Sequence, residues 1–223
     1  MTQSKNGGIC NLCRGEFTKS AMARHLPTCP SPRPGTEPHF HLLVEGRHAP
    51  MFWLHLEVKL LARLVDLDRF LRRHWLECCD HESVFYIGEA EHASRPSLTD
   101  PRGMGIPIGR VVSPGSVFHH LYDFGSSTEL RLRVLGQRSG PPLREGLRLL
   151  AHNLPPFFAC QRCGKPSERV CSECGDDGWL CGRCAATHPC GKEALLRVVN
   201  SPRVGTCAYG ALERPAIPGP RRS

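Results

Sequence analysis

Hydrophobic and polar residues alternate along much of the middle of the chain. Residues 51–58, MFWLHLEV, have the period of two that is typical of a half-buried strand. The positions on its apolar face are Phe52, Leu54, Leu56 and Val58. Residues 83–88, SVFYIG, predict a second strand, and a short strand is expected at residues 40–44.

A hairpin is predicted where SVFHHLYDF and TELRLRVLG flank a Gly-Ser-Ser turn. In its first strand, Val117, His119, Leu121 and Asp123 share one face, and Phe118, His120, Tyr122 and Phe124 share the other. Proline-marked breaks bound the later segment LREGLRLLAHN, which fits a strand or a short helix. The polar residues 89–105 predict a loop.

One main helix is predicted in VDLDRFLRRHWLECC, where apolar residues recur at helical spacing. Asp66 is the expected N-cap, and Asp68 suits the positive end of the helix dipole. Cys78 and Cys79, at the end of this segment, are interpreted as small buried apolar residues. These elements predict an α+β fold: a central mixed or antiparallel sheet of about four to six strands with one main helix, flanked by two small zinc-binding modules.

Composition points to metal binding. The chain of 223 residues contains 13 cysteines, and its N-terminus lacks the apolar stretch of a secretion signal. No apolar run approaches the ~20 residues of a membrane span, so we expect a cytoplasmic protein without a membrane partner. In that compartment, clustered cysteines bind metal rather than form disulfides.

The formal charge of +8 falls to about +4 if ten thiolates bind three zinc ions, which permits nucleic acid as a partner without requiring it.

The first cluster is Cys10-x2-Cys13-x11-His25-x3-Cys29. A Cys-x2-Cys knuckle is followed by a short helix that presents the histidine, and Pro27 is expected to end that helix. Four nitrogen and sulfur ligands favour structural zinc. The pattern resembles the two-Cys, His, Cys variant of the two-Cys two-His zinc finger, with one gap a residue shorter than usual. Base reading by this finger is not favoured, since one finger covers only ~3 base pairs.

The second cluster contains eight ligands within a stretch too short to bury a core, so metal must supply its folding energy. They are Cys160, Cys163, Cys171, Cys174, Cys181, Cys184, His188 and Cys190. Their order predicts a cross-brace in which the first and third pairs bind one zinc and the second and fourth pairs the other, and the spacing resembles B-box modules. Sequential pairing, or one zinc with spare thiols, is the alternative, and Cys207 could replace one ligand. Both clusters together predict three structural zinc ions.

The pattern divides the chain into a zinc finger and four further segments. The finger covers residues 1–29, and a Pro-rich linker is expected at 30–50. An α+β domain at 51–156 precedes a Cys-rich zinc module at 157–210 and a disordered tail at 211–223. The linker predicts that deleting the finger leaves the rest folded.

Three segments of the chain resemble a known family. They are FLRRHWLECCDHESVFYIG, MGIPIGRVVSPGSVFHHLYDFGSSTELRLRVLG and VVNSPRVGTCAYG. They are similar to bacterial and archaeal members of the Ri-plasmid ORF-three-like family, over about residues 51–210, and some transposon-borne members are labelled TnpR. The YDFG turn, Tyr122 to Gly125, is the most specific element. Many relatives continue with an acidic residue, Trp, Glu and His, of which only Glu129 is present here. The resemblance implies an α+β fold and no assigned activity.

No recognised catalytic motif occurs in the sequence. Asp123 and His119 are the best catalytic candidates because they share a predicted strand face, although an aspartate before a glycine turn is more often a turn-capping residue. We therefore expect a non-enzymatic zinc-binding adaptor with a protein partner. A nucleic-acid-binding protein associated with mobile DNA is the alternative, and a hydrolase is the second alternative.

Overall fold

The alternating segments form one antiparallel sheet in the computed structural model, which describes residues 7–29, 35–96 and 103–210. Nine strands of the described residues belong to it: β1 (Gly7–Cys10), β2 (Glu16–Thr18), β3 (Glu37–Gly46), β4 (Trp53–Lys59), β5 (Ser83–Ile87), β6 (Ala90–Ala93), β7 (Val117–Tyr122), β8 (Thr128–Gly140) and β9 (Leu147–Asn153). Their order across the sheet is β2-β1-β9-β4-β3-β8-β7-β5-β6. The predicted α+β class with an antiparallel sheet is confirmed.

Among the described residues, two α-helices accompany the sheet, α1 (Lys19–His25) and α2 (Leu64–Leu71), together with a short 3-10 helix at Ile108–Arg110. A π-helical turn, Arg72–Leu76, continues α2. Asp66 is not the N-cap as predicted but the third helical residue, and its Oδ2 accepts the N–H of the N-cap Arg63 at 2.9 Å. The helix therefore begins two residues before Asp66, because a carboxylate at this position satisfies the N-cap amide in a capping box.

One face of the sheet carries the main core. Cross-strand neighbours Leu42, Leu56 and Val134 are all buried there. α2 is joined to this face by Asp68, whose Oδ1 accepts hydrogen bonds from Ser83 Oγ at 2.7 Å and from His120 Nε2 at 2.8 Å. The amphipathic helix α2 thus covers the core face of the sheet, as its apolar spacing predicts.

The opposite face is covered by the N-terminal segment. Met22 and Leu26 pack in one cluster with Leu43 and Trp53 of the sheet. β4 is therefore buried on both faces, whereas its alternation predicted a half-buried strand. The difference arises because a separate part of the chain covers the second face, which local periodicity does not report.

The N-terminal finger also extends the sheet. β1 pairs with β9 from Gly8↔Asn153 to Cys10↔Ala151, and a side chain at Gly8 would collide with the Trp53 ring. Residues 37–46, which we interpreted as linker around a short strand, form the ten-residue β3 between β4 and β8. Because β1 is paired with the sheet, this arrangement does not favour the expectation that deleting the finger leaves the rest of the chain folded.

Other boundaries differ from the expectation in detail. The segment that fitted a strand or a helix is β9, and the predicted loop at 89–105 contains β6. Residues 97–102 of that loop, part of the predicted linker, and the predicted tail at 211–223 lie outside the described residues.

A second compact unit begins at Phe157, and Asn200–Pro202 belong to the first unit. The second unit contains a small sheet in the order β11-β10-β12, formed by β10 (Arg169–Cys171), β11 (Trp179–Leu180) and β12 (Leu195–Arg197). A short helix, α3 (Gly182–Ala185), lies between β11 and β12 in the chain. The apolar cluster of this unit consists of Cys160, Leu180, Cys181 and Ala185. So small a core leaves most of the folding energy to other interactions. Within the described ranges, no helix is long and apolar enough to cross a membrane.

Candidate metal centres

The finger brings its four predicted ligands together. The ligand atoms of Cys10, Cys13, His25 and Cys29 all lie within 4.8 Å of one another. β1 and the turn after it supply the first two, and α1 presents the histidine. Thr18 caps α1 by accepting the N–H of Ala21 at 3.3 Å, which fixes the start of the helix that carries His25.

Distances within this cluster fit tetrahedral coordination. Cys10 Sγ lies 3.7 Å from Cys29 Sγ, and Cys13 Sγ lies 3.3 Å from His25 Nε2. Zinc–sulfur bonds of ~2.3 Å and zinc–nitrogen bonds of ~2.0 Å at tetrahedral angles separate two sulfurs by about 3.8 Å and a sulfur from a nitrogen by about 3.5 Å. The Phe17 ring stacks on the His25 ring at 4.0 Å and so holds the imidazole in position.

The eight predicted ligands of the second unit form two groups. Cys160, Cys163, Cys181 and Cys184 make one, and Cys171, Cys174, His188 and Cys190 make the other. Cys163 Sγ lies 3.6 Å from Cys181 Sγ, and Cys174 Sγ lies 3.4 Å from His188 Nε2. The grouping is the cross-brace rather than the sequential arrangement.

Left-handed residues shape the Cys-x2-Cys turns. Arg14, Gly164 and Gly175 each follow the first cysteine of a pair by four residues, with φ of 65°, 71° and 56°. The N–H of Gly164 donates to the Cys160 carbonyl at 2.8 Å, and the N–H of Arg14 donates to the Cys10 carbonyl at 2.8 Å. Each turn thereby reverses the chain and points both sulfurs to one side.

Backbone amides prepare some sulfurs for metal. The N–H of Cys181 lowers the pKa of the Cys160 thiol to about 6, which favours the thiolate form that binds metal. Other sulfurs retain a proton: the hydrogen bond with Cys171 raises the pKa of Cys174 to about 12, and burial raises that of Cys29 to about 12. A metal ion must displace those protons, so binding releases protons to solvent.

The remaining cysteines occupy other positions. Cys207 belongs to neither four-residue group of the second unit, and its backbone is left-handed, with φ of 53°. Cys78 is half-buried and Cys79 is exposed, so the interpretation of both as buried apolar residues is wrong for Cys79. The physical reason is that the helix ends before them, with the π-helical turn finishing at Leu76. No disulfide links the cysteines, all of which lie within the described residues.

The structure does not join the two catalytic candidates of the sheet. Asp123 leaves β7 with φ of 68°, and its Oδ1 accepts the N–H groups of Gly125 at 2.9 Å and Ser126 at 3.2 Å, as a turn-capping residue does. Its Oδ2 lies 3.5 Å from Nε2 of His81, not of His119. His119 is a half-buried residue in the middle of β7.

A buried triad of Asp68, Ser83 and His120 was not predicted. Ser83 Oγ donates to the Asp68 carboxylate rather than to the imidazole. A serine nucleophile needs its histidine as the base, so this arrangement holds α2 to the sheet and does not activate the hydroxyl. The helix start at Leu64 and the strand register align the three residues, and no sequence spacing signals that contact.

A charged network lies on the sheet face that the finger covers. The carboxylate of Glu57 is completely buried and accepts hydrogen bonds from Arg138 Nε at 2.7 Å and Arg148 Nε at 2.8 Å. Arg138 Nη1 also donates to the carbonyl of Leu26 in the finger, at 3.3 Å. Burial opposes ionisation of Glu57, but the two guanidinium groups hold its pKa below the usual value. The network fixes the finger to the sheet.

Comparison with known proteins gives little further information. No family model matches the chain, and none of the curated proteins matches it. Among solved structures, the chain is similar to a crystal structure of a protein of unknown function from Methanosarcina mazei Go1. The two share 14% identity with a TM-score of 0.45, over 52% of this chain and 70% of the other.

Proposed function

We propose that this protein is a zinc-binding adaptor, in which structural zinc ions hold surfaces that bind a protein partner and carry out no reaction. One observation carries the proposal: the finger and both cross-brace groups each present four nitrogen or sulfur donors and no carboxylate. Closed donor sets of this kind are typical of structural zinc, whereas catalytic zinc keeps one position for water or substrate. The finger and the cross-brace bind three zinc ions.

The second unit offers an aromatic surface for the partner. Phe157 is 61% exposed, and the next residue, Phe158, stacks on Trp179 with ring centroids 3.9 Å apart. The N–H of Gln161, in the first knuckle, donates to the carbonyl of Trp179 at 2.9 Å, so the zinc loops support this surface. Aromatic side chains are enriched at protein interfaces, because they bury a large apolar area with few rotatable bonds.

Nucleic-acid binding is the second candidate, favoured by a different surface. Arg131 and Arg133 lie on one face of β8 and are both exposed. Exposed arginines on a strand can contact phosphates, and the family resemblance to transposon-borne proteins would place such binding in the context of mobile DNA.

Two variants of the full-length tagged chain separate these functions. Captures from the native cell would compare wild type with Phe157→Ser and with the double variant Arg131→Glu/Arg133→Glu, each with and without nuclease. An adaptor retains a protein after nuclease treatment and at high salt, and loses it with Phe157→Ser alone. Captured nucleic acid that is lost steeply with salt, and that is absent with the arginine variant alone, would instead establish the second candidate.

Metal analysis of the purified protein that gave one zinc ion or none would contradict the zinc assignment.

A further inference from the structure

The turn after the π-helix brings together three ligand-type side chains that neither the finger nor the cross-brace uses. The sulfurs of Cys78 and Cys79 and a ring nitrogen of His81 all lie within 4.8 Å of one another. Cys78 and His81 are half-buried and Cys79 is exposed, so the group is accessible to an ion from solvent. Two thiolates and an imidazole are the donors that zinc prefers over harder cations such as magnesium.

The backbone of this turn is fixed before any ion binds. The buried hydroxyl of Tyr122 accepts the N–H groups of Cys78 at 3.4 Å and His81 at 3.3 Å, and it donates to Glu77 Oε1 at 3.0 Å. Asp80 is left-handed, with φ of 59°, and its N–H donates to the same Glu77 oxygen at 2.6 Å. The chain therefore reverses between the cysteines and the histidine, as it does in the knuckles of the finger and the cross-brace.

The carboxylate of Asp123 lies next to the imidazole ring of His81. Asp123 Oδ2 lies 3.5 Å from His81 Nε2, while Asp123 Oδ1 is held by the amides of Gly125 and Ser126. Metal-ligating histidines commonly direct their second nitrogen to a carboxylate, which fixes the ring orientation and the tautomer and makes the imidazole a better ligand. The YDFG turn thus places a carboxylate next to His81, a contact that its sequence did not indicate.

We propose that Cys78, Cys79 and His81 supply three ligands of an additional zinc site, and that Asp123 is its positioning residue. The site is independent of the three zinc ions proposed above, because it shares no ligand with them. Binding displaces the thiol protons to solvent and holds the side chains of Cys78, Cys79 and His81 on one ion.

Metal counting on the full-length chain tests the site. Native mass spectrometry of the zinc-loaded protein should give four ions for wild type and three for the double variant Cys78→Ser/Cys79→Ser. His81→Ala should also give three, whereas the matched exposed histidine variant His48→Ala should keep four. Cobalt titration supplies a second measurement: the sulfur-to-cobalt absorption should contain a component that the cysteine variant removes.

Asp123→Asn tests the positioning role without disturbing the turn. Asparagine keeps an oxygen for the amides of Gly125 and Ser126 and tolerates the left-handed backbone, but it lacks the charge. We expect zinc affinity at this site to fall on the order of 10- to 100-fold in chelator competition, with an unchanged circular dichroism spectrum. Three ions in wild type, with the same count in the cysteine variant, would overturn the site and leave the proposed function intact. Unchanged affinity in Asp123→Asn would overturn the role of Asp123.

Discussion

At the residue scale, His41 and His55 form a pair in which Nε2 of the first lies 2.9 Å from Nδ1 of the second. The pKa of His41 is lowered to about 4, mainly by burial and to a smaller extent by the charge of Arg138, while Glu57 opposes the change. Burial also lowers the pKa of His55 to about 3, with smaller contributions from His41, Lys19 and Arg133. Both imidazoles are therefore neutral in the folded protein at neutral pH.

This pair predicts acid sensitivity of the first unit. The unfolded chain binds protons on both histidines below a pKa of about 6.5, while the folded chain does not, so stability is complete above that pH and is lost as the pH falls towards the folded values. The variant His55→Gln removes one titrating group. Between neutral pH and about pH 5.5, its free energy of unfolding should therefore fall by about 1 kcal/mol less than that of wild type. Urea unfolding at each pH measures the difference. His48→Gln, at an exposed histidine, should follow wild type, and a parallel pH dependence of wild type and His55→Gln would contradict the assignment.

At the element scale, the finger stabilises the sheet by covering one of its faces. Met22 of α1 is completely buried against the cluster that contains Leu43 and Trp53. Met22→Ala should therefore destabilise the whole first unit by about 2–4 kcal/mol, because it leaves a cavity between finger and sheet. Tryptophan fluorescence during denaturation, together with hydrogen exchange at β4 and β9, measures this effect.

The control for Met22 is Met51→Ala, at a residue that is 37% exposed. It should change stability by less than about 0.5 kcal/mol. If Met22→Ala loosened only residues 7–29 and left the exchange of β4 and β9 unchanged, the finger would be a separate domain, as its Pro-rich flank first indicated.

Local patterns in the sequence predict local structure well in this chain. The β7–β8 hairpin follows from alternation and its turn, and the grouping of the cross-brace ligands follows from the order of the cysteine pairs. The pairing of β1 with β9 joins residues some 140 positions apart, and the contact of Asp123 with His81 depends on the register of β5 against β7. Such long-range contacts depend on how whole elements pack against one another, and the local spacing of residues in the sequence does not predict them.

At the scale of the whole molecule, the two units are stabilised by different means. The first has a nine-stranded sheet, among the described residues, with buried side chains on both faces. The second has only the small cluster around Leu180, so we expect its folding to depend on metal ligation. Apparent zinc-binding energies in small modules are ~10–16 kcal/mol, which is large beside the total stability of a typical domain, ~5–15 kcal/mol.

Loss of a single cross-brace ligand should consequently unfold the second unit alone. Cys181 belongs to one group but lies in the chain between Cys174 and His188 of the other, so Cys181→Ser removes a ligand from the first ion and releases the loop that positions the second. We expect loss of hydrogen-exchange protection throughout residues 160–190, with protection of β3, β4 and β8 retained. Arg183→Ala, an exposed change beside ligand Cys184, should leave both units protected. A chelator should reproduce the pattern of Cys181→Ser in the second unit of the wild-type protein. Protection lost only around Cys160, Cys163 and Cys184 would mean that the two ions fold their loops independently, and loss of protection in β4 would mean that the sheet needs the second unit.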